Sequence, residues 1–396
     1  MKAFFVSALA LLLLATALST GWELLYRVVY TLVGLLVVSL VWSWVNVRWL
    51  WYRHEVKTTR AQVGGRIEER LTLENTSWIP KLWLEVCDRS TLVGRKGNLV
   101  VELGRHSSRT VHISTPCHTR GVFRLGPIDV VSGDPFGLFR MRRRLAVGGT
   151  VLVYPAITEL TSFGGLPGEL PGGNVRVQRT QIATPNAAGV RDYQPGDALS
   201  RIHWLNSARL GRLMVKEFDL DPLSDVWVIL DLDSEVQVGT GPDSTEEWTV
   251  SVGASLVKYL LDQQREVGIV TQERLLPADR GHRQLQKALE LLAVIHANSS
   301  VPLERVVLSE EVRFTRGATA IIVTPSTDEA WLSACRLLEA RGVSVLAVLL
   351  EASTFGARQS SLLLVGSLLA NGISTYLVKR GDDLARALAR PAAVGF

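Results

Sequence analysis

"DVWVILDLDSE" occupies residues 225–235, and its reading decides the fold. Asp225–Asp233 reads as a continuous apolar strand that ends in acids. A strand with one wet face alternates apolar and polar residues. A strand apolar throughout is covered on both faces, as in parallel sheets whose crossovers carry helices on each side. The sequence downstream continues that way. Helical patterns over Glu246–Gln264, His282–Ala297, Thr327–Arg341, Arg358–Ala370 and Asp382–Ala389 alternate with apolar runs over Val267–Gln272, Thr319–Thr324, Val343–Leu350 and Ile373–Val378. The spacing predicts a doubly wound α/β domain over 222–396. Ligands of such sheets sit beyond the carboxyl ends of the strands. Asp231, Asp233 and Glu235 fall there, and oxygen ligands of this kind suit Mg²⁺.

Immediately upstream stands "GVRDYQPGDALSRIHWLNSARLGRLMVKEFD", residues 189–219. Pro195-Gly196 sets a tight turn, Asp197 stands at an N-cap position, and Ala198–Arg209 reads as one helix ended by Gly211. Leu199, Ile202, Leu205 and Ala208 give it a narrow apolar face. Arg212–Phe218 reads as a strand leading into the α/β sheet. Asp192, His203 and Ser200 or Ser207 are the makings of a hydrolase triad, but no nucleophile elbow surrounds either serine. Arg191, Arg201, Arg209, Arg212 and Lys216 are interleaved with acids and lack an aromatic stacking platform, which argues against nucleic acid. Two readings remain. Arg191, Asp192, Tyr193, Pro195, Gly196, Asp197, Arg201, Trp204 and Arg209 form either a docking face for a protein partner or an internal clamp, with Trp204 buried and Arg191 or Arg209 paired to Asp192 or Asp197.

Residues 159–185 are rich in Gly and Pro and read as a linker or extended loop, followed by the 186–221 segment. Before the linker, residues 54–158 change period. "RIEERLTLEN", "KLWLEVCD", "RTVHIST" and "GTVLVYP" alternate every second residue and are broken by Gly, Pro, Asn and Asp. That pattern predicts an antiparallel β-sandwich. "DPFGLF" (134–139) is a turn, and "RMRRR" (140–144) is either a solvated hairpin face or a contact for anionic lipid.

The first 50 residues hold two apolar runs, one over about 4–19 and one over about 26–46. With 47% hydrophobic residues in the whole chain, a bilayer segment is expected, and the second run is long enough to cross alone. The two form a helical hairpin in the cell (inner or plasma) membrane. The competing reading takes the first as a signal peptide cleaved after "ATA" at Ala15–Ala17. Lys2 before the first run and Arg48, Arg53, Lys57 and Arg60 after the second place both termini and the soluble domains in the cytoplasm. Trp42, Trp44, Trp49, Trp51 and Tyr52 read as an interfacial belt. The net charge of +5 is too small to demand a nucleic-acid partner. Cys87, Cys117 and Cys335 are an odd, sparse set that reads as small buried residues, with no disulfide framework.

Two resemblances follow from these residues. "VWVILDLDSE" resembles the first strand edge of von Willebrand factor type A domains, whose Asp-x-Ser-x-Ser holds a metal-dependent adhesion site. Asp231 matches its first position, and Asp233 and Glu235 replace the serines. The later Asp-Gly reads Thr324-Pro325, and the threonine loop reads "RGHRQL" (280–285). The resemblance therefore implies a degenerate metal site whose acids cap a loop and face solvent. The order Gly189, Arg191, Tyr193, Pro195-Gly196-Asp197, Arg201-Ile202, Trp204, Ala208-Arg209, Gly211, Leu213, Val215 and Glu217-Phe218 resembles the signature of the domain of unknown function 58 family, with His203 and Leu205 where that pattern often has Asp and Lys. The resemblance implies a bacterial or archaeal membrane-anchored adaptor or assembly factor without enzymatic activity. Its partners would be a MoxR-type AAA+ ATPase, often also a transglutaminase-like membrane protein, and the lipid bilayer. The alternative is an Mg²⁺-dependent adhesion-type receptor using Asp231, Asp233 and Glu235.

Overall fold

The computed structural model describes residues 2–92, 94, 98–145, 148–164, 187–194, 202–218 and 225–392. It divides into two compact units, Met1–Tyr154 and Pro155–Phe396.

The first unit opens with α1 (Lys2–Thr20) and α2 (Glu23–Val47), both long and apolar enough to cross a membrane. At about 1.5 Å per residue, the 25 residues of α2 exceed the ~30 Å of a hydrocarbon core. The helices pack on each other, and small side chains at Ala10 and Ala17 are buried while Phe4, Phe5, Leu11 and Leu12 stay exposed. Small residues let helix backbones approach, and exposed apolar ones suit lipid.

Strands follow: β1 (Leu50–Val56), β2 (Arg60–Gln62), β3 (Arg66–Asn75), β4 (Lys81–Asp88), β5 (Leu99–Leu103), β6 (Ser108–Pro116), β7 (Gly121–Leu125), β8 (Ile128–Gly133), β9 (Arg140–Leu145) and β10 (Gly149–Tyr154). They form sheets β1-β3-β6, β2-β10-β7 and β5-β4-β8-β9, and the β2–β10 pair is parallel. Alternation sets the inward faces. Ile67, Leu71 and Leu73 of β3 are fully buried, each worth about 2 kcal/mol relative to exposure. Leu71 and Leu73 meet Leu84, Val101, Ile128 and Leu145 of the four-stranded sheet in one shared core. Glu69, on the same inward face, is accommodated because His54 Nε2 lies 2.8 Å from its carboxylate. Asn75 is buried and anchors the "ENTSW" loop. Its amide donates to the Ile79 and Gly104 carbonyls, and its Oδ1 accepts from Ser77.

In the second unit, β11 (Ala187–Asp192), α3 (Trp204–Leu210) and β12 (Met214–Phe218) precede β13 (Val226–Leu230), α4 (Thr245–Asp262), β14 (Val267–Val270), β15 (Leu275–Asp279), α5 (Gly281–Val294), α6 (Leu303–Glu310), β16 (Thr319–Thr324), α7 (Trp331–Ala340), β17 (Ser344–Leu350), α8 (Leu362–Ala370), β18 (Ser374–Val378) and α9 (Leu384–Ala387). The large sheet has the order β15-β14-β13-β16-β17-β18. All pairings are parallel except β14–β15. As expected of a sheet covered on both faces, all five residues of β13 are buried. Trp227 and Ile229 face a core shared with α6, α7 and α8, whereas Leu230 packs against Gly253 of α4. Ser244 caps α4 by accepting from the Glu247 amide.

The structure alters several expectations. β15 and α6 stand where the sequence reading expects no element: β15 has five residues interrupted by Pro277, and α6, although Leu303, Val306 and Val307 recur at helical spacing, has only eight. The Arg212–Phe218 strand does not enter the large sheet: β12, which takes up Met214–Phe218 of it, pairs antiparallel with β11 as a separate two-stranded ribbon. Part of the expected linker is folded onto the α/β unit. The Thr158 and Phe163 amides donate to Ser255 Oγ and Tyr259 Oη, and Phe163 is buried and stacked on Tyr376. Residues 165–185 lie outside the described residues. Cys117 and Cys335 are buried free thiols, but Cys87 is half-buried.

Candidate functional site

The parallel strands run β14-β13-β16-β17-β18, so the chain reverses direction of travel between β13 and β16. Such a switch point leaves a crevice at the carboxyl ends of the two strands. Asp231 follows β13 there and is 1% exposed. Its carboxylate is held on every side by donors. Thr324 Oγ1, at the end of β16, donates to Oδ2 at 2.6 Å. Gln272 Nε2, after β14, donates to Oδ1 at 2.7 Å, and the Asp233 amide donates to Oδ1 at 3.2 Å. Gln272 also accepts from the Leu232 amide, and Gln237 donates to the Asp231 carbonyl. Burial pushes the Asp231 carboxyl up despite the hydrogen bonds from Thr324 and Gln272. Asp231 thus ties together the ends of three neighbouring strands.

The three acids expected as a metal set divide. Asp231 and Asp233 are buried rather than facing solvent, and Glu235 is exposed. Asp233 Oδ1 accepts from the Glu235 amide at 2.9 Å, closing a turn. Among the described residues no group of three or more His, Cys, Asp or Glu side chains is placed to hold a metal ion. With both Asp231 oxygens engaged by protein donors, these residues do not fit a Mg²⁺ site of the adhesion type.

The second candidate is the β11–α3–β12 segment. Arg191 lies in β11, and its side chain is outside the description, as are Pro195, Gly196, Asp197, Ser200 and Arg201. Asp192 is exposed and pairs with Arg212 at 3.0 Å rather than with Arg209. The Tyr193 amide donates to the Leu213 carbonyl. The expected start of the helix is corrected: Ile202 bridges Val215, and the His203 amide donates to the Met214 carbonyl. That pairing with β12 holds the backbone extended, so α3 begins at Trp204. His203 is its cap, with Nδ1 accepting from the Asn206 amide at 3.1 Å. Gly211 ends it at φ +64°, where a side chain is strained.

Ser207 is buried and committed. Its hydroxyl donates to the His203 carbonyl and accepts from the Met214 amide. Asp192, His203 and Ser207 therefore serve the local backbone or Arg212 and do not make a relay. Trp204 is 67% exposed, which removes it from the internal clamp and leaves it with the docking-face reading. Leu205, Leu210 and Leu213 are exposed beside it in the sequence, as is Arg209. A helix of only seven residues carrying this much bare apolar surface is what sequence periodicity missed. The apolar spacing of Leu199, Ile202, Leu205 and Ala208 falls within residues 198–209, half of which precede the helix.

Comparison with known proteins places both candidates in one matched region. A family model described as "Protein of unknown function DUF58" matches residues 189–368. The chain is also similar to a protein of Bacillus subtilis (strain 168) described as "Uncharacterized protein YeaD", 25% identical over 273 residues. That alignment takes in 66% of this chain and 64% of the relative, so the chain spans just under two thirds of the relative's length. Among solved structures, the CARDB domain of the PF1109 protein from Pyrococcus furiosus has a TM-score of 0.20 at 17% identity, covering 26% of this chain and 91% of that one. A beta-glucosidase from Listeria innocua has a TM-score of 0.17 at 12% identity, covering 26% and 16%. Scores this low define no shared fold.

Proposed function

We propose that this is a membrane-anchored, non-enzymatic adaptor or assembly factor that acts with a MoxR-type AAA+ ATPase through protein contacts. The observation that carries the reading is the bare apolar surface of Trp204, Leu205, Leu210 and Leu213 within the family-matched region. Large exposed aromatic and aliphatic groups suit a partner interface, where Trp and Arg are favoured anchors. The commitment of Asp192, His203 and Ser207 to structural bonds favours binding over catalysis. The α/β unit is read as von Willebrand factor type A-like because Asp231 occupies the carboxyl end of its first parallel strand. The Mg²⁺-dependent receptor is the weaker reading, since the Asp231 carboxylate already has three protein donors. Both termini and both units are assigned to the cytoplasm from the basic residues that flank the apolar helices.

Co-purification tests the adaptor reading. Tagged full-length chain, extracted in mild detergent with ATP, is expected to retain the ATPase. A Trp204→Ser/Leu205→Ser variant should lose it without a change in melting temperature, because both side chains are exposed. Failure of the unaltered chain to retain the ATPase with or without nucleotide overturns the reading.

A further inference from the structure

The "RMRRR" strand, β9, lies beside the end of α2, and its charges are out of balance. Asp129 of β8 is 1% exposed and receives three guanidinium groups. Arg142 bonds it directly, Arg89 Nε lies at 3.2 Å, and Arg144 Nε lies at 3.4 Å. Burial alone would raise this carboxyl, but hydrogen bonds from Arg142 and Arg89 hold it below the usual range, so it stays ionised. Three positive charges against one negative leave two in surplus. Two further arginines stand at the helix end. Arg143 Nη1 donates to the Val47 carbonyl at 3.3 Å, and the Arg48 guanidinium lies 4.5 Å from the Trp44 ring centroid. Trp44, Arg48, Trp49, Arg142 and Arg143 line a cleft of about 620 Å³.

A second observation fixes the level of this cleft. Ile79 shares a groove with Val37, Val41 and Val45 of α2, and Trp83 shares another with Trp42. Trp78, Trp83 and Phe136 are 75%, 63% and 58% exposed. The β region thus carries an apolar, aromatic rim alongside the final turns of an apolar helix. Aromatic rings in such numbers belong at a bilayer interface, and arginines at that depth meet phosphate. Guanidinium groups also match phosphate oxygens in pairs.

We infer that the cleft between the last turn of α2 and β9 binds the headgroup of an anionic phospholipid. The site rests on the reading that α1 and α2 cross a bilayer. It is built from parts 96 residues apart in the chain, on a folded strand, and so differs from a linear basic stretch following a helix.

Native mass spectrometry of the full chain tests it. The protein is reconstituted in vesicles of phosphatidylcholine with about 30% phosphatidylglycerol, whose anionic surface attracts basic residues, then released in detergent. The unaltered chain is expected to retain phosphatidylglycerol in preference to phosphatidylcholine. Arg48→Gln/Arg142→Gln/Arg143→Gln should reduce that preference at least tenfold, whereas the Lys equivalents should keep most of it. If the triple variant does not fold, Arg48→Gln alone, which leaves the Asp129 cluster intact, should still lower the preference about fivefold, the scale of one surface charge. Equal retention of both lipids by the unaltered chain overturns the site. So does a preference that none of the variants changes, or capture of RNA or an acidic polypeptide in place of lipid. Release of the chain from membranes by alkaline carbonate without detergent would instead overturn the membrane reading itself.

Discussion

Removing the Asp231 carboxylate tests whether the switch-point cluster is a structural clamp. In Asp231→Ala, Gln272 Nε2 and the Asp233 amide lose their acceptor in a site that is 1% exposed. A buried orphaned donor costs about 1–3 kcal/mol, so the expected loss is about 2–6 kcal/mol. Asp231→Asn keeps Oδ1 for both donors. The Thr324 hydroxyl can rotate to accept from the new amide, so the cost should stay under about 1.5 kcal/mol. The pH dependence has a definite sign. Burial raises the folded carboxyl above its unfolded value, so the folded state holds the proton more tightly. That contribution is full below about pH 3.9 and is lost as the pH rises through the folded value. The Asn variant should lack this decline. Urea melts at several pH values, read by hydrogen exchange of peptides covering residues 226–232 and 319–324, give each quantity. An Ala variant within about 1 kcal/mol of the unaltered chain would refute the clamp, since at least one orphaned donor must then cost nothing. An Asn variant as damaged as the Ala variant would refute it differently, by showing that the negative charge itself is needed. Stabilisation of the intact chain by Mg²⁺, absent in Asp231→Asn, would then favour the receptor reading.

Other outcomes follow from the packing. A methyl group at Gly268 would lie 2.5 Å from Trp227 Cε3 in the adjacent strand, so Gly268→Ala should cost about 1–3 kcal/mol in the same melts. Ser207→Ala removes both the donor to His203 and the acceptor for Met214; exchange should quicken across residues 202–218 while the large sheet keeps its midpoint. Burial pushes the Cys335 thiol up to about 12, so a maleimide at pH 7.5 should leave it unmodified until the α/β unit unfolds. A membrane-impermeant thiol reagent applied to intact cells should miss a cysteine introduced at the exposed position Val312; labelling there would invert the assigned topology.

The five parallel strands were legible because burial on both faces leaves runs with almost no polar residues, and the two apolar helices because their exposed faces carry the same apolar side chains. β15 was not, because it is an edge strand in which Leu275, Leu276 and Ala278 stay partly exposed and Pro277 interrupts the pattern. α6 escaped because eight residues span barely two turns. At the candidate sites the sequence identified Asp231 but misjudged its surroundings. Thr324 and Gln272 are 93 and 41 residues away, and no local pattern announces that their side chains would close over it. For Trp204 the sequence leaves a docking face and an internal clamp both open, for a related reason. A lone Trp in a short amphipathic stretch ordinarily packs inward, and here β12 fixes the preceding turn so that the ring is left outside.

Only Arg48 and Trp49 separate the end of α2 from the start of β1. The last turn of α2 is pinned to the strands as well: Asn46 donates to the Leu82 carbonyl and to Ser132, and Lys81 Nζ donates to the Val45 carbonyl. A helix joined this way has no slack. Once it stands in a bilayer, any change in its tilt must swing the β strands through the same angle, so bilayer thickness becomes a mechanical input that the strands on the water side report as a rotation.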